Sequence, residues 1–175
     1  EYPFQSMGWA NYEQETIITG SGDDRFTVLA VETSSSLFVA LDAGAGIDTL
    51  FLNASGRNSS IAFEVNGSEV NTSLGQFTNF ENFIISGSSG NDVITTGAGD
   101  DGITGGIGDD FLNGGGGADS FFGGAGSDTF RFTDLNFGAD QIVEFVSGED
   151  LLSFSFDVAD SISDFSITGH GTNQV

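Results

Sequence analysis

The sequence has no cysteine and no lysine, and it contains one proline and one histidine, His170. Without cysteine, no disulfide, thiol nucleophile or thiolate metal site can form. One histidine cannot supply an H-E-x-x-H zinc motif, and no G-x-S-x-G nucleophile motif is present. The glycines of residues 97–102 match the dinucleotide fingerprint G-x-G-x-x-G, but no helix is expected after them. We therefore expect a non-catalytic chain, so that any active site would belong to another part of a larger protein.

Positive charge is also scarce. The 175-residue chain contains three arginines and 26 acidic residues, and its formal net charge is -23. Binding to nucleic acid or to an anionic membrane needs clustered Lys and Arg, so neither is an expected partner. No apolar run is long enough to span a membrane, and residues 1–30 contain no secretory signal peptide. The 18 phenylalanines predict a packed fold rather than a disordered acidic chain, and self-repulsion should oppose that fold unless cations bind.

Five tandem blocks of nine residues run from Gly87 to Arg131. They read GSSGNDVIT, TGAGDDGIT, GGIGDDFLN, GGGGADSFF and GGAGSDTFR. The fourth place is always glycine, the sixth is always aspartate, and the eighth is always a large apolar residue. A fixed period of this kind predicts a repeat architecture, in which each unit buries its apolar side against its neighbours.

Each block predicts a glycine turn followed by a very short strand. Glycine permits positive φ and close backbone approach in the turn, and period-two alternation points the eighth residue inward. Two blocks then make one coil of 18 residues, and stacked coils form two parallel sheets. The inward residues provide only a thin core; they are Ile94, Ile103, Leu112, Phe121 and Phe130. The predicted fold class is all-β.

The aspartates in the sixth place are expected to supply the missing stabilisation. Because the turns on one edge come from alternate blocks, Asp92, Asp110 and Asp128 stack on one edge, and Asp101 stacks on Asp119 at the other. Stacked carboxylates repel each other unless a cation lies between them. Carboxylate and glycine carbonyl oxygens suit calcium, which takes six to eight oxygen ligands, better than magnesium or zinc.

These blocks resemble the G-G-x-G-x-D-x-U-x nonapeptide of the RTX calcium-binding proteins. The resemblance implies a right-handed parallel β-roll with a C-terminal capping β segment and three or more calcium ions between successive turns. It also implies a module of a larger protein that a Gram-negative bacterium exports by type I secretion. Such a module folds when it meets calcium outside the cell and supports an attached N-terminal domain. The ligand residues that it implies in the tandem blocks are Gly87, Ser89, Asp92, Thr96, Ala98, Asp101, Gly105, Ile107, Gly108, Asp110, Gly114, Gly116, Gly117, Asp119, Gly123, Ala125, Gly126 and Asp128.

The pattern continues in degenerate form towards the N-terminus. The blocks TGSGDDRFT at 19–27 and AGAGIDTLF at 43–51 keep the glycine, aspartate and apolar places. Their aspartates, Asp24 and Asp48, are 24 residues apart instead of 18, which leaves open whether they also bind calcium. Residues 53–76 are polar and are predicted to form a loop, broken by one apolar patch at 61–65.

After Arg131 the glycine pattern stops, and residues 140–154 resemble the segment that follows the roll in serralysin-type proteins. This segment is expected to cover the open end of the solenoid. The predicted organisation is a linker or cap at 1–16, the β-roll at 17–137 and a C-terminal cap at 138–175 that continues beyond Val175. The side chains expected to form the cap are Phe132, Phe137, Phe145, Phe154, Phe156 and Phe165.

The competing interpretation is a binding module. The aromatic cluster around Trp9 either lines a sugar-binding surface or covers one end of the solenoid. The outer sheet faces carry Phe111, Phe122 and Arg131, which are candidates for contact with a polysaccharide. Under this interpretation the chain is a carbohydrate-binding unit or one unit of an adhesin.

Overall fold

The computed structural model describes residues 16–30, 39–72, 74–133, 137–155 and 166–168. Strands account for about 52% of these residues, and no helix occurs among them. Consequently none of these residues belongs to a helix that could cross a membrane. The predicted N-terminal linker or cap lies outside the described residues, apart from Thr16.

Short strands make up the whole regular structure of the described residues. In chain order they are β1 (Thr16–Ile18), β2 (Arg25–Leu29), β3 (Val39–Asp42), β4 (Thr49–Asn53), β5 (Ala62–Asn66), β6 (Glu69–Thr72), β7 (Gly75–Thr78), β8 (Asn82–Ser86), β9 (Val93–Thr95), β10 (Gly102–Ile107), β11 (Phe111–Asn113), β12 (Ser120–Ala125), β13 (Thr129–Phe132), β14 (Gln141–Val143), β15 (Leu151–Phe154) and β16 (Ser166–Thr168).

The strands form two sheets that face each other across the core. One sheet has the order β1-β3-β7-β6-β5-β9-β11-β13-β15, and the other has the order β2-β4-β8-β10-β12-β14-β16. Apart from the turns that join β5, β6 and β7, the chain passes from one sheet to the other at each turn and so builds a β-solenoid of about six turns. All pairings are parallel except β5 with β6 and β6 with β7. The predicted parallel β-roll is therefore confirmed.

Coil length varies along the solenoid. In the tandem blocks Ile84, Gly102 and Ser120 lie side by side in successive coils, which gives the predicted 18 residues for each coil. The hydrogen bonds from the N–H of one turn to the carboxylate of the equivalent turn in the next coil span 24 and 33 residues before the blocks and 21 or 22 residues after them. The strands stay in register across these longer coils.

Residues 53–76 contain strands, so the prediction of a loop is wrong there. The strands β5, β6 and β7 form an antiparallel meander inside the first sheet, and Gly67 (φ 65°) lies in the turn between the first two. Phe63 and Phe77 point inward and are fully buried, whereas Glu64, Asn66 and Glu69 are exposed. Glutamate and asparagine at these positions conceal the period-two pattern, because both residue types are less common in strands than β-branched and aromatic residues.

Residues in the eighth place of each block fill the space between the sheets, as predicted. Ile94, Leu112 and Phe130 are fully buried, and the equivalent residues of the other coils are nearly so. At the C-terminal end, the Phe132 ring stacks on Phe154 with 5.2 Å between the ring centroids. Phe137 packs edge-on against Phe132, and Phe145 packs against Phe130. The other two predicted cap residues, Phe156 and Phe165, lie outside the described residues.

Candidate metal centre

Stacked aspartates form a ladder along each edge of the roll. On the first edge, the backbone N–H of Asp92 donates to Oδ1 of Asp110 (2.8 Å), and that of Asp110 donates to Oδ1 of Asp128 (3.0 Å). On the second edge, the N–H of Asp101 donates to Oδ1 of Asp119 (2.9 Å). Each carboxylate thus binds the turn of the coil before it, in the stacking order that the spacing predicts.

Both ladders continue beyond the tandem blocks at the C-terminal end. The N–H of Asp119 donates to Oδ1 of Asp140 (2.8 Å), and the N–H of Asp128 donates to Oδ1 of Asp150 (3.0 Å). The glycines two residues earlier have positive φ, 73° at 138 and 94° at 148, like the fourth place of several blocks. Asp140 and Asp150 are absent from the predicted ligand set because insertions of a few residues interrupt the period of nine.

Further stacked carboxylates lie on the second edge towards the N-terminus, separated from the ladder because Oδ1 of Asp101 accepts from the N–H of Phe83. The N–H of Asp24 donates to Oδ1 of Asp48 (2.6 Å), and the N–H of Asp48 donates to Oε2 of Glu81 (2.8 Å). Glu81 takes the sixth place of a degenerate block, QFTNFENFI at 76–84, in which Asn79 (φ 58°) replaces the glycine. Asparagine tolerates the left-handed conformation better than other residues with a side chain, which explains why it can replace glycine here. Because glutamate stands where the repeat pattern has aspartate, the match of this block to the pattern is not apparent from the sequence.

Most of these carboxylates have one oxygen with no hydrogen-bond partner. The oxygen is Oδ2, each residue is at most 3% exposed, and the six residues are Asp48, Asp101, Asp110, Asp119, Asp128 and Asp140. A buried ionised oxygen without a partner is strongly destabilising unless a cation or a proton neutralises it. Six of them along two edges therefore indicate a cation-binding structure.

Burial also changes the acidity of these groups. Desolvation raises the pKa of Asp101 and of Asp110 to about 7, that of Asp119 to about 8 and that of Asp140 to about 6. Repulsion from neighbouring carboxylates adds to the shift, as Asp92 and Asp128 do for Asp110. A divalent cation between the turns would oppose both effects, because it favours the ionised form.

Glycine in the first place of a block keeps space open beside the unpaired oxygen. At four blocks a Cβ added to this glycine would overlap with Oδ2 of the aspartate in the same block, and at three of them that oxygen has no hydrogen-bond partner. At Gly105 the added atom would also lie 2.6 Å from the carbonyl oxygen of Gly123. Carboxylate and carbonyl oxygens thus converge on one point, as a calcium site requires. The three pairs are Gly105 with Asp110, Gly114 with Asp119, and Gly123 with Asp128.

Asp92 and Asp150 differ from the other aspartates of the ladders. The N–H of Ser88 donates to Oδ2 of Asp92 (2.6 Å), and the Ser88 hydroxyl and the N–H of Ile61 both donate to Oδ1 (2.7 Å each). The N–H of Val146 donates to Oδ2 of Asp150 (2.8 Å). Both oxygens of these two carboxylates therefore have protein partners. The first edge has two unpaired oxygens, and the second edge has four.

The predicted backbone ligands lie in the turns beside the ladders or at the ends of β10 and β12. No group of three or more acidic, histidine or cysteine side chains gathers around one point in the described part of the chain, so a bound cation would take its other ligands from carbonyl groups. Two predicted carbonyls accept hydrogen bonds, that of Ala125 from the N–H of Gly108 (2.8 Å) and that of Gly114 from the Thr96 hydroxyl (2.9 Å). Those on the first edge are Gly87, Ser89, Gly105, Ile107, Gly108, Gly123, Ala125 and Gly126, and those on the second edge are Thr96, Ala98, Gly114, Gly116 and Gly117.

An exposed row of polar side chains, separate from the two aspartate ladders, runs through the fifth place of the blocks. The N–H of Asp109 donates to Oδ1 of Asn91 (3.0 Å), and the N–H of Ser127 donates to Oδ1 of Asp109 (2.9 Å). Asp100 accepts from the N–H of Ala118 in the same way (2.9 Å). These side chains tie successive turns together while their carboxylates stay in water. They are structural partners of the turns, although each is next in sequence to a candidate ligand.

Comparison with known proteins identifies this arrangement. Residues 84–112 and 103–130 match the family model of the RTX calcium-binding nonapeptide repeat. This segment is similar to RTX calcium-binding repeats. The RTX repeat is a non-catalytic calcium-binding module and is typical of secreted bacterial proteins. No curated protein matches the chain.

The RTX match covers about a quarter of the chain. Asp48 and Asp140 lie outside it but share the buried, unpaired oxygen of the RTX aspartates. Their turns also stack like RTX turns, because a Cβ on Gly46 or Gly138 would overlap with a carbonyl oxygen of the preceding coil. The geometry of the RTX turn therefore extends beyond the sequence that matches the family.

Proposed function

We propose that this chain is a calcium-dependent folding module of a larger secreted bacterial protein. The observation that carries the proposal is the set of six buried carboxylate oxygens without partners, aligned along the two edges of the roll. Calcium would supply positive charge where stacked carboxylates repel each other, and it would link turns that are distant in sequence. The attached N-terminal domain would be stabilised by a rigid neighbour that is complete only when calcium is present.

The proposed ions lie between successive turns of one edge. On the second edge, one ion would be held by Asp101 and Asp119, and another by Asp119 and Asp140. On the first edge, Asp110 and Asp128 would hold a third ion, and turn carbonyls would complete each ligand set. Asp24 and Asp48 are a further candidate pair, because Asp48 is fully buried with one unpaired oxygen.

Calcium binding and folding are coupled because the ligands of one ion come from turns 18 or more residues apart. A ligand that binds only the folded state stabilises it by RT ln(1 + [Ca]/Kd) for each site. Extracellular calcium modules typically have Kd values of about 10⁻⁴–10⁻³ M. The calcium-binding coils would then stay unfolded in the cytoplasm, and the chain would pass through a type I secretion system and complete its folding outside the cell.

Two neighbouring aspartates of one turn provide a matched test. Asp101→Asn changes a buried residue of the ladder, whereas Asp100→Asn changes an exposed residue whose amide oxygen can still accept from Ala118. Circular dichroism during a calcium titration should show that Asp101→Asn needs much more calcium to fold. Asp100→Asn should fold at nearly the calcium concentration of the parent chain. Equal calcium midpoints for all three proteins, or the same folded spectrum in chelator and in calcium, would contradict the proposal.

A second candidate function rests on the outer face of the first sheet. The guanidinium carbon of Arg131 lies 5.8 Å from the centroid of the Phe111 ring, and both side chains point away from the core. Phe122 lies on the outer face of the other sheet. An aromatic ring beside a hydrogen-bond donor suits a sugar ring, so a polysaccharide is the candidate ligand. Titration with alginate and neutral glycans in millimolar calcium tests this function, and absence of binding would exclude it for those ligands.

A further inference from the structure

The two halves of the roll are stabilised in different ways. Residues 39–86, which we call the N-terminal platform, contain fourteen buried apolar residues. Residues 87–133, which we call the repeat coils, are nearly as long but contain six. Because apolar burial is the main driving force of folding, the platform has much the stronger metal-independent stabilisation.

The unpaired carboxylate oxygens have the opposite distribution. Four of the six belong to the repeat coils, and a fifth, that of Asp140, lies in the coil after them. The platform contains one, that of Asp48. Electrostatic destabilisation in the absence of a cation is therefore concentrated in the part of the roll that has the smaller apolar core.

The platform also contains the most local strand pairing of the chain. Its meander of β5, β6 and β7 joins residues close in sequence, such as Val65 with Val70, by antiparallel pairing. The parallel pairs of the repeat coils join residues 18 positions apart. Closing a short hairpin loses less chain entropy than closing a full coil, so the meander can form first.

On the first edge, protein groups alone make the junction between the platform and the first repeat coil. Both oxygens of Asp92 accept hydrogen bonds, from Ile61 of the platform and from Ser88 beside it. The N–H of Ser89 also donates to the carbonyl of Arg57 (2.9 Å). On the second edge, the N–H of Phe83 donates to Oδ1 of Asp101 (2.7 Å), and Oδ2 of Asp101 has no partner. The first turn of the repeat coils can thus dock on the platform before any cation binds.

We propose that the N-terminal platform folds without calcium and serves as the template on which the repeat coils stack in order as calcium binds. This inference rests on the proposed function, since it divides calcium-dependent folding into two steps. The free strand edges of the platform, β5 in one sheet and β8 in the other, supply the hydrogen-bonding register for the first repeat coil. Calcium then fixes each further coil in the register set by the coil before it.

Hydrogen exchange of the full chain, in chelator and in millimolar calcium, tests the two steps separately. In chelator we expect amides of the platform, such as Leu52 and Phe77, to exchange at least about tenfold more slowly than those of the repeat coils, such as Ile103 and Phe121. In calcium both regions should be protected. Fast exchange of both regions in chelator, followed by protection in calcium, would overturn the inference and leave the proposed function intact. Equal protection of both regions in chelator would overturn both.

Two matched core variants give a second measurement in chelator. Phe77→Ala removes a fully buried ring from the platform, and Phe130→Ala removes one from the repeat coils. We expect Phe77→Ala to abolish the protection of residues 39–86 and Phe130→Ala to leave it unchanged. This readout does not require the repeat coils of the Phe130→Ala variant to fold. Loss of platform protection in Phe130→Ala, or its persistence in Phe77→Ala, would overturn the inference.

Discussion

The substitution Asp119→Asn should have opposite effects on stability with and without calcium. Asp119 is almost fully buried; its Oδ1 accepts from the N–H of Asp101, and its Oδ2 has no partner. Asparagine retains an oxygen for the first contact and places an amide N–H₂ near the carbonyl groups of the turn. In chelator the variant therefore loses a buried unpaired charge, and we expect its free energy of unfolding to rise.

In calcium the same substitution weakens both proposed ions that Asp119 would share. At a free calcium concentration of 100 times Kd, each ion contributes about 2.7 kcal/mol, so the loss reaches about 5 kcal/mol if both ions are lost. Urea unfolding at pH 8 in 10 millimolar calcium (about 100 times the lower Kd expected for such modules) measures the loss. The amount of β-structure in chelator at the same pH, measured by circular dichroism, reports the gain. Asp109→Asn is the matched control, since Asp109 is exposed and an amide oxygen can still accept from Ser127. Equal destabilisation of Asp119→Asn in both conditions would refute the reasoning, because it would indicate lost packing instead of a lost cation.

Three further predictions concern the space beside Asp128, the pKa values of the ladder aspartates and the packing of the core. Gly123→Ala places a Cβ against Oδ2 of Asp128 and should raise the calcium midpoint of folding, while Gly20→Ala, which meets no atom within 4 Å, should leave it unchanged. In chelator, stability should be highest below about pH 4 and should fall as the pH rises through 6 to 8. The reason is that burial raises the folded-state pKa values of the ladder aspartates above their unfolded values. Thermal unfolding at pH 5 and pH 8 checks the direction, and greater stability at pH 8 would contradict the prediction. Phe121→Ala should lower the free energy of unfolding in calcium by about 3–5 kcal/mol, as is usual for a buried ring. Ile107→Ala, at an exposed position, should change it by less than about 0.5 kcal/mol. Equal effects of the two substitutions in urea unfolding would contradict the assignment of the core.

The tandem blocks could be predicted from the sequence because their local pattern and their tertiary contacts have the same period. Glycine in the fourth place, aspartate in the sixth and one apolar residue in the eighth determine the turn, the ladder and the core. The 18-residue coil and the stacking of Asp101 on Asp119 follow from that spacing alone. Equal coil lengths thus made sequence distance a reliable guide to spatial neighbours.

The flanking coils were harder to predict because their turns have different lengths. Asp140 and Asp150 stack on the ladders across 21 and 22 residues, so a search at a period of 18 passes over them. In the block at 76–84, Glu81 takes the place of aspartate and Asn79 takes the place of glycine. The partners of Asp92 also depend on tertiary structure, since the N–H of Ile61, 31 residues earlier in the chain, reaches it only after the meander has folded.

Calcium-coupled folding is the central claim, and a calorimetric calcium titration of the chelator-stripped chain tests it most directly. Far-ultraviolet circular dichroism of the same samples reports the secondary structure at each calcium concentration. We predict that three or more ions bind and that β-structure increases over the same range of calcium concentration. A chain that is fully folded in chelator and takes up no calcium would contradict the claim.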